Sequence, residues 1–380
     1  MTEYYIKVGI KTDGIPILKR HKDYTLVSNM LIGDGFHWQR VISAHLPGEV
    51  SLYNSSDHYR KADSDPTETD QHIMLINRLP LESYLECVVG SEMNPSAPIE
   101  FLKAHAVISR SWALGKVLGA HSCDCEGYKN TSDCLIGWDD TAGHHGFDVC
   151  SDDHCQRYQG VQPIAPIALQ AIRDTVGEVL TTPDGSLVDA RFSKCCGGRT
   201  EVFSTCWQSR SVNCLESFDD PWCDLSGLSA DRRHQLLSSI LKDYDLITEG
   251  YGYRWQTEIP KTTVKENLFQ RFGRDIGEIL SLEPLHRGPS GRIDLLRIHG
   301  TNDTLDLGKE LWIRRLLSPS HLYSSAFDIE DLGVSFRLTG RGWGHGVGLC
   351  QIGAANMALH GYDYRNILSF YYPGAAITSI

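Results

Sequence analysis

The sequence lacks long hydrophobic runs. No stretch reaches the roughly 18 consecutive apolar residues that a membrane-spanning helix needs, so we expect no such helix. The segment from Met1 to Ile10 also lacks the basic start and the long apolar run of a signal peptide. Two localisations therefore stay open: the protein remains in the cytoplasm, or it is exported with a leader that has been removed.

Positive charge is scarce as well. The 380 residues carry 36 Lys and Arg against 48 Asp and Glu, which gives a formal net charge of −12. This balance argues against nucleic acid as the main partner, because phosphate binding needs a basic surface, and against docking on an anionic membrane. The sequence has no internal repeat and no low-complexity tract. It has room for one large or two modest globular domains.

Cysteine, in contrast, is abundant, with 12 residues. Most of them fall within residues 120–160 and residues 195–223. Such clusters, near histidines, indicate metal binding at least as readily as disulfides, and the sequence leaves that choice open. A disulfide within the adjacent pair Cys195-Cys196 would be strained. Cys87 and Cys350 stand apart and are predicted to be small core residues.

The pattern of strands and helices predicts the fold class. Short β-branched and aromatic runs between polar turns indicate strands at Tyr4–Ile10, Trp38–Leu46 and Ile73–Leu79. Apolar residues at helical spacing then predict one helix opened by Pro80 and a second from Pro98. We predict an α+β fold with a mixed, β-rich core and several helices flanking a substrate cleft.

We predict the domain organisation from the same pattern. A β-rich N-terminal segment covers residues 1–75, and a larger domain covers 76–380. The larger domain carries a Cys/His-rich insertion at 120–160 and a smaller α/β subdomain around 225–335.

The helix from Pro98 is apolar nearly all round, which indicates burial. Lys103 and Arg110 lie about two turns apart on one stripe of it. Cations on a buried helix need partners or a polar cleft.

A carboxylate ends the preceding helix. Glu92 is flanked by Val88, Val89 and Met93. Apolar surroundings desolvate a carboxylate and raise its pKa toward the working range of a general acid. An exposed capping glutamate is the alternative, which the residues alone favour.

The densest pattern is the segment from Gly340 to Ala354. Its five leading glycines let the backbone adopt positive φ and approach a ligand closely. Trp343 offers a flat face for a sugar ring, and His345 and Gln351 offer polar edges. The loop should lead into a helix N-terminus, where N–H groups face a ligand. A glycine-rich turn around a core tryptophan is the alternative.

A second glycine-containing turn lies between Ser193 and Glu201. Gly197 and Gly198 among small polar residues suggest a turn that faces a ligand, with a plain β-turn as the alternative. The loop from His144 to Cys155 could supply three of the four ligands that Zn²⁺ takes. Disulfides or free buried cysteines are the alternative there.

Taken in order, these motifs resemble the SpoIID/LytB (stage II sporulation protein D) family. The match runs from about residue 75 to the C-terminus, and its final glycine-rich motif is highly specific. The stretches that carry the resemblance are Leu79 to Leu85 with Ser91-Glu92-Met93, Leu102 to Val107 with Ser109-Arg110, Cys196 to Glu201, Gly342 to Gly348 with Gln351, and Ile367 to Gly374.

The resemblance implies a lytic transglycosylase, which cleaves the MurNAc–GlcNAc bond of peptidoglycan and leaves a 1,6-anhydro end. Glu92 would be its catalytic residue. A hydrolase needs two carboxylates, but a lytic enzyme needs only one, because the sugar's own 6-hydroxyl is the nucleophile. Glu92 would donate a proton to the glycosidic oxygen and then take one from that hydroxyl.

The resemblance also implies binding sites. Substrate would contact a set of polar, glycine and aromatic residues spread over the matching motifs: Lys103, Arg110, Phe192, Ser193, Gly197, Gly198, Thr200, Trp343, His345, Gly346 and Gln351. Some relatives bind zinc through one histidine and two cysteines, a pattern that His144 (or His145), Cys150 and Cys155 match roughly. That Zn²⁺ would be structural, and the chemistry itself would need no cofactor.

Four positions depart from the family's pattern. His105 stands where glutamine is usual, Phe192 where a tyrosine often helps to hold substrate, and Cys195-Cys196 where serine-type residues are found. These changes leave the expected acid, Glu92, in place, but they leave the exact substrate open.

Two other functions stay open. The chain could be a non-catalytic, peptidoglycan-binding modulator of a cell-wall amidase, like the amidase enhancers of the same family. It could also act on small muramyl fragments, which the lack of a visible signal peptide motivates. The expected partners are glycan strands or muramyl fragments, with an amidase in the modulator case, and the family implies a location in the cell envelope.

Overall fold

The computed structural model forms two compact units. Unit 1 comprises residues 1–123, 140–180 and 378–380, and unit 2 comprises residues 124–139 and 181–377. Within these units the structure describes residues 3–35, 39–53, 74–120, 128–138, 144, 146–152, 155–161, 165–242 and 252–380.

Strands and helices occur in both units, which confirms the predicted α+β class. The strands are β1 (Tyr5–Lys11), β2 (Leu18–Arg20), β3 (Thr25–Ile32), β4 (Arg40–Leu46), β5 (Glu49–Tyr53), β6 (Met74–Pro80), β7 (Lys129–Asn130), β8 (Cys134–Ile136), β9 (Val149–Cys150), β10 (Glu178–Thr181), β11 (Phe192–Ser193), β12 (Arg254–Pro260), β13 (Ile279–Arg287), β14 (Ile293–Gly300), β15 (Thr304–Gly308), β16 (Phe327–Asp331), β17 (Ser335–Arg341), β18 (Leu349–Cys350) and β19 (Ala376–Ser379). The helices are α1 (Leu81–Glu92), α2 (Ile99–Val117), α3 (Pro166–Asp174), α4 (Phe203–Cys206), α5 (Ala230–Ile240), α6 (Lys261–Phe272), α7 (Glu310–Leu316), α8 (Gln351–Leu359) and α9 (Tyr364–Tyr371), with a 3₁₀ turn at Pro221–Cys223.

Among the described residues, two sheets lie entirely within unit 1. The first has the strand order β5-β6-β1-β9, in which β1 is antiparallel to β6 and parallel to β9. The second is the antiparallel sheet β2-β3-β4. Ile6, Val8 and Ile10 alternate along β1 and are fully buried, because side chains two residues apart share one face of a strand.

Helices α1, α2 and α3 pack against one another in unit 1. Helix α1 buries Tyr84, Leu85 and Val88, whose spacing predicts its inner face. Helix α2 begins directly after Pro98 and is buried nearly all round, as predicted. Every residue from Ala104 to Gly115 is buried.

Unit 2 is built on a five-stranded sheet, β13-β14-β15-β8-β7, and on the antiparallel sheet β12-β17-β16. Ile293, Leu296 and Ile298 from β14 join Leu305 and Leu307 from β15 in its hydrophobic core, all fully buried. Burial of aliphatic side chains of this size contributes about 1.5–3 kcal/mol each.

A short parallel pair of strands positions the glycine-rich segments of unit 2. Phe192 and Ser193 of β11 pair with Leu349 and Cys350 of β18. The chain then enters α8 at Gln351, so the predicted helix after the glycine loop is present.

Across the described residues, no helix combines the length and the hydropathy that a bilayer crossing needs.

Candidate functional site

Glu92 is the last residue of α1 and is only 7% exposed. Its Oε1 accepts a hydrogen bond of 2.9 Å from the backbone N–H of Arg157. Val88, Val89 and Met93 are fully buried. The carboxyl group is therefore largely desolvated, and the alternative of an exposed capping glutamate is excluded.

The segment that holds Glu92 is fixed by an aromatic pair. The Tyr84 and Tyr158 rings stack with centroids 5.6 Å apart, and the Tyr84 hydroxyl donates to Gln156 Oε1 at 2.9 Å. Burial, followed by the nearby Cys155 and Glu92, raises the pKa of Tyr84 well above its usual value. Both tyrosines are fully buried, so the Arg157 N–H that contacts Glu92 is held on a rigid support.

His144, Cys150 and Cys155 come together in unit 1. Their ligand atoms all lie within 4.8 Å of one another, with Cys155 Sγ 4.0 Å from His144 Nε2. The other ring nitrogen, Nδ1, lies 3.3 Å from the Asp148 carbonyl oxygen, which orients Nε2 toward the two sulfurs. One imidazole and two thiols suit Zn²⁺, and a backbone carbonyl behind the imidazole is a usual support for such a ligand. His145 lies outside the described residues.

Lys103 and Arg110 of α2, both predicted to bind substrate, have partners within unit 1. Lys103 Nζ lies 3.0 Å from Glu100 and 3.1 Å from Asp174. Arg110 is fully buried, and its Nε and Nη2 donate to the two carboxylate oxygens of Glu82 at 2.7 and 2.8 Å. Its Nη1 donates to the Glu178 carbonyl oxygen at 3.0 Å. The Arg110 guanidinium thus stabilises the packing of α1 on α2.

In unit 2, the glycine loop has the backbone conformation that its sequence predicts. Gly342, Gly344, Gly346 and Gly348 all have positive φ, between 69° and 93°. Trp343 between them is partly exposed, and its backbone exchanges two hydrogen bonds with Cys195, at 2.7 and 3.0 Å. The two glycine-rich segments predicted to face a ligand are therefore joined directly.

His345 is held on both sides of its ring. Nδ1 accepts a hydrogen bond of 3.0 Å from the Val347 N–H, and the Trp207 ring lies edge-on at 4.9 Å. Burial, then the charges of Arg191, Arg292 and Arg314, lower the pKa of His345 well below its usual value. The imidazole is neutral at neutral pH and offers no positive charge to a ligand.

The other predicted binding residues of unit 2 surround this loop. Ser193 Oγ accepts from the Gly346 N–H at 3.2 Å, and Phe192 of β11 is partly exposed. Thr200 is fully buried and its hydroxyl contacts the 216–218 backbone, which gives it a structural role. Gln351 is buried at the start of α8.

Gly197 and Gly198 lie in the turn that follows β11. Both have positive φ, and a Cβ at Gly197 would lie 2.7 Å from the Gly342 nitrogen. Glycine at 197 is required by this close approach of the two loops.

Two buried charges of unit 2 were missed by sequence reasoning. Arg292 is fully buried and donates to the Gly344 carbonyl oxygen through Nε and Nη2, at 3.1 and 3.0 Å. Its Nη1 donates to Ser290 Oγ at 2.9 Å, and that hydroxyl donates to Glu201 Oε2 at 2.6 Å. Glu201 is also fully buried. No local pattern distinguishes Arg292 from a surface arginine.

Gly346→Ala should destabilise unit 2 and displace the loop. Gly346 has φ +77°, and a Cβ there would lie 2.5 Å from Arg292 Cζ. The left-handed conformation costs a non-glycine residue about 1–2 kcal/mol, and overpacking adds about 1–3 kcal/mol. Urea unfolding measures the summed loss of unfolding free energy.

Gly361→Ala is the matched control for this substitution. Gly361 has φ +86°, but a Cβ at this position would meet no atom within 4 Å. The control should lose only the free energy that the left-handed backbone conformation costs. Equal losses of unfolding free energy in the two variants would contradict the packing of Arg292 against the loop.

Comparison with known proteins gives two family matches. Residues 69–182 match the family described as Stage II sporulation protein. Residues 201–348 match a family described as a domain of unknown function.

Individual relatives cover most of the chain. An uncharacterized protein of Brachyspira hyodysenteriae is 28% identical over 80% of this chain and 68% of its own length. Stage II sporulation protein D of Bacillus amyloliquefaciens is 24% identical over 87% of this chain and 79% of its own. The amidase enhancer of Bacillus subtilis is 24% identical over 78% of this chain and 40% of its own length.

Proposed function

Residues 69–182 of this chain belong to the SpoIID family, and from that premise we propose that the chain is a lytic transglycosylase of peptidoglycan. Its relatives are a sporulation protein and an amidase enhancer, so a role at the cell wall fits the chain. In this proposal the enzyme cleaves the MurNAc–GlcNAc bond and leaves a 1,6-anhydro end, with Glu92 as general acid and general base.

The burial of Glu92 is the observation that carries the proposal. Glu92 is only 7% exposed, and a carboxyl that acts as a general acid on a glycan lies in water-poor surroundings of this kind. The Arg157 N–H fixes Oε1, which holds the group in one orientation, as a positioned proton donor requires.

The reaction needs only this one side chain. Glu92 donates its proton to the glycosidic oxygen, and the bond from that oxygen to C1 of MurNAc breaks. The 6-hydroxyl of the same sugar forms the new bond to C1 and returns its proton to Glu92. Protons and bonds balance without water, and holding the nucleophile on the substrate is an entropic advantage.

Unit 2 supplies surfaces that suit sugars. The partly exposed Trp343 offers a flat face, and aromatic rings suit the apolar faces of pyranoses. We propose Trp343 and Phe192 as contacts for sugar rings. His345 and Ser193 act by holding the loop in place.

We propose that His144, Cys150 and Cys155 bind one structural Zn²⁺. Cys155 precedes Arg157 by two residues, and Arg157 holds Glu92. The metal would supply no chemistry of its own, and these three side chains would fix the segment that orients the acid.

His144→Ala should remove one equivalent of bound zinc and weaken cleavage, because the Cys155–Arg157 segment loses its anchor. Elemental analysis of the purified protein measures the metal. His21→Ala, at an exposed histidine of the same unit, is the control and should keep the parental zinc content. Equal zinc content in the two variants would contradict the proposal that His144 binds zinc.

Purified glycan strands test the proposed activity. Incubation with the protein should release fragments whose MurNAc ends are lighter by one water than those of a hydrolase digest, as mass spectrometry would show. Fragments with reducing MurNAc ends would identify a hydrolase instead.

The similarity to the amidase enhancer of Bacillus subtilis supports a second candidate function, that of a non-catalytic modulator of a cell-wall amidase. Such a protein leaves glycan strands uncut and increases stem-peptide release when an amidase is added. A buried carboxyl at the end of α1 has no evident use in that function. Glu92→Gln separates the two candidates, since a modulator keeps its effect in this variant.

A further inference from the structure

A second set of metal-binding side chains lies in unit 2. The ligand atoms of Cys196, Asp220, Cys223 and Cys350 all lie within 4.8 Å of one another. Cys196 Sγ is 3.3 Å from Cys223 Sγ and 3.2 Å from Asp220 Oδ2. Each of the four residues is at most 2% exposed. Cys350, predicted to stand apart in the core, is therefore part of a cluster, because the β11–β18 pairing brings it beside Cys196.

These distances fit a single tetrahedral ion. Zn–S bonds of about 2.3 Å separate neighbouring sulfurs by roughly 3.8 Å, a value between the 3.3 Å that separates the Cys196 and Cys223 sulfurs and the 4.8 Å within which all the ligand atoms lie. Three thiols and a carboxylate are ligands that Zn²⁺ accepts. An iron–sulfur cluster separates its cysteine sulfurs by the width of the cluster, so this compact set suits one ion better.

The surroundings of the cluster support charged ligands. Asp220 accepts hydrogen bonds from the Trp222 N–H at 2.9 Å and from the Tyr371 hydroxyl at 3.0 Å. Cys350 Sγ accepts from the Cys196 N–H at 3.3 Å. Cys350 also directly precedes α8, and the N-terminus of a helix stabilises a thiolate. Hydrogen bonds of this kind orient metal ligands.

A disulfide explains the cluster less well. The Cys196 and Cys223 sulfurs lie 3.3 Å apart, whereas an S–S bond measures about 2.0 Å. None of the cysteines in the described residues forms a disulfide. Pairing two of the thiols would leave the third and the Asp220 carboxylate together in an apolar interior, which is costly.

We propose that Cys196, Cys223, Cys350 and Asp220 bind one structural Zn²⁺. All four positions of the ion are filled by protein, which is typical of a structural site. The ion joins the turn after β11, the 3₁₀ turn at Pro221–Cys223 and the start of α8. Since Cys195 exchanges backbone hydrogen bonds with Trp343, the ion also anchors the glycine loop. This site goes beyond the proposed glycan cleavage and does not depend on it.

Zinc content in a background without the unit 1 site tests the proposal. The full chain carrying His144→Ala and Cys155→Ser should retain one Zn²⁺ per molecule by elemental analysis. Adding Cys223→Ser should remove it. Adding Cys214→Ser, at a buried free cysteine of unit 2 outside the cluster, should leave it in place. A background protein that is folded and holds no zinc would overturn the proposal.

A second pair of variants tests whether Asp220 or Cys195 is the fourth ligand of the ion. The Cys195 thiol also lies against those of Cys223 and Cys350. Cys195→Ser should keep the ion, whereas Asp220→Ala should weaken its retention against a chelator. The opposite pattern would overturn the assignment of Asp220.

The unaltered chain gives a measurement that does not depend on folding of the variants. After exchange of zinc for cadmium, cadmium NMR should show a resonance in the range of three thiolate ligands. Absence of that resonance, or a Cys196–Cys223 disulfide in peptide mapping of the native protein, would contradict the site.

Discussion

Glu92→Gln should abolish nearly all glycan cleavage and leave the fold intact. Glutamine keeps the size of the side chain and an oxygen that can accept from the Arg157 N–H. It can neither donate an acidic proton nor take one from the 6-hydroxyl. General acid–base catalysis contributes about 10²–10⁴-fold to a rate, and here both roles fall on one residue. We expect a loss at the upper end of that range, measured as release of anhydro-ended fragments.

Glu86→Gln is the matched control on the same helix. Burial raises the pKa of Glu86, so this substitution removes a partly buried carboxyl from the same helix. The control should cleave at the parental rate. If Glu92→Gln also cleaves at that rate, with an unchanged circular dichroism spectrum, another group supplies the proton and the mechanism is wrong.

Arg292→Met should cause the largest loss of stability in unit 2. Arg292 is fully buried and binds the Gly344 carbonyl oxygen through two nitrogens. It also reaches the buried Glu201 carboxylate through Ser290. Methionine fills much of the space but donates no hydrogen bond and leaves Glu201 without the nearby positive charge. Removing one partner from such a buried network costs about 3–5 kcal/mol.

Arg297→Met, on the same strand β14, is the control for this loss. Arg297 pairs with Asp306 at 2.7 Å, but 39% of its side chain is exposed, and an exposed ion pair contributes at most about 1 kcal/mol. Urea unfolding of both variants measures the difference. Similar midpoints would mean that the buried network does not stabilise the glycine loop.

The local structure of the chain follows from its sequence to a large extent. The spacing of Tyr84, Leu85 and Val88 predicts α1, and the apolar stretch after Pro98 predicts α2. The β-branched and aromatic run Tyr4–Ile10 predicts β1, which the structure has at Tyr5–Lys11. These patterns suffice because each reports which face of one element is buried.

Contacts between distant segments are harder to predict. Strand β8 pairs with β15, about 170 residues further along the chain, and nothing in the local sequence around Cys134 indicates this. The same limit applies to Cys350, which looks isolated in sequence and joins Cys196 and Cys223 only through the β11–β18 pairing.

The candidate site likewise combines features that the local sequence predicts with features that depend on distant segments. Positive φ at Gly342, Gly344 and Gly346 follows from their residue type. The burial of Glu92 was the less favoured outcome from the residues alone, because it depends on the segment around Arg157, 65 residues away. The pairing of Arg110 with Glu82 also depends on how α1 and α2 pack against each other.

Cleavage of purified glycan strands in water enriched in the heavy oxygen isotope tests the central claim most directly. If a sugar hydroxyl is the nucleophile and Glu92 moves the proton, the new MurNAc ends carry no isotope from the solvent, and Glu92→Gln forms almost none of them. Isotope in those ends, or their formation by the variant at the parental rate, would contradict the account.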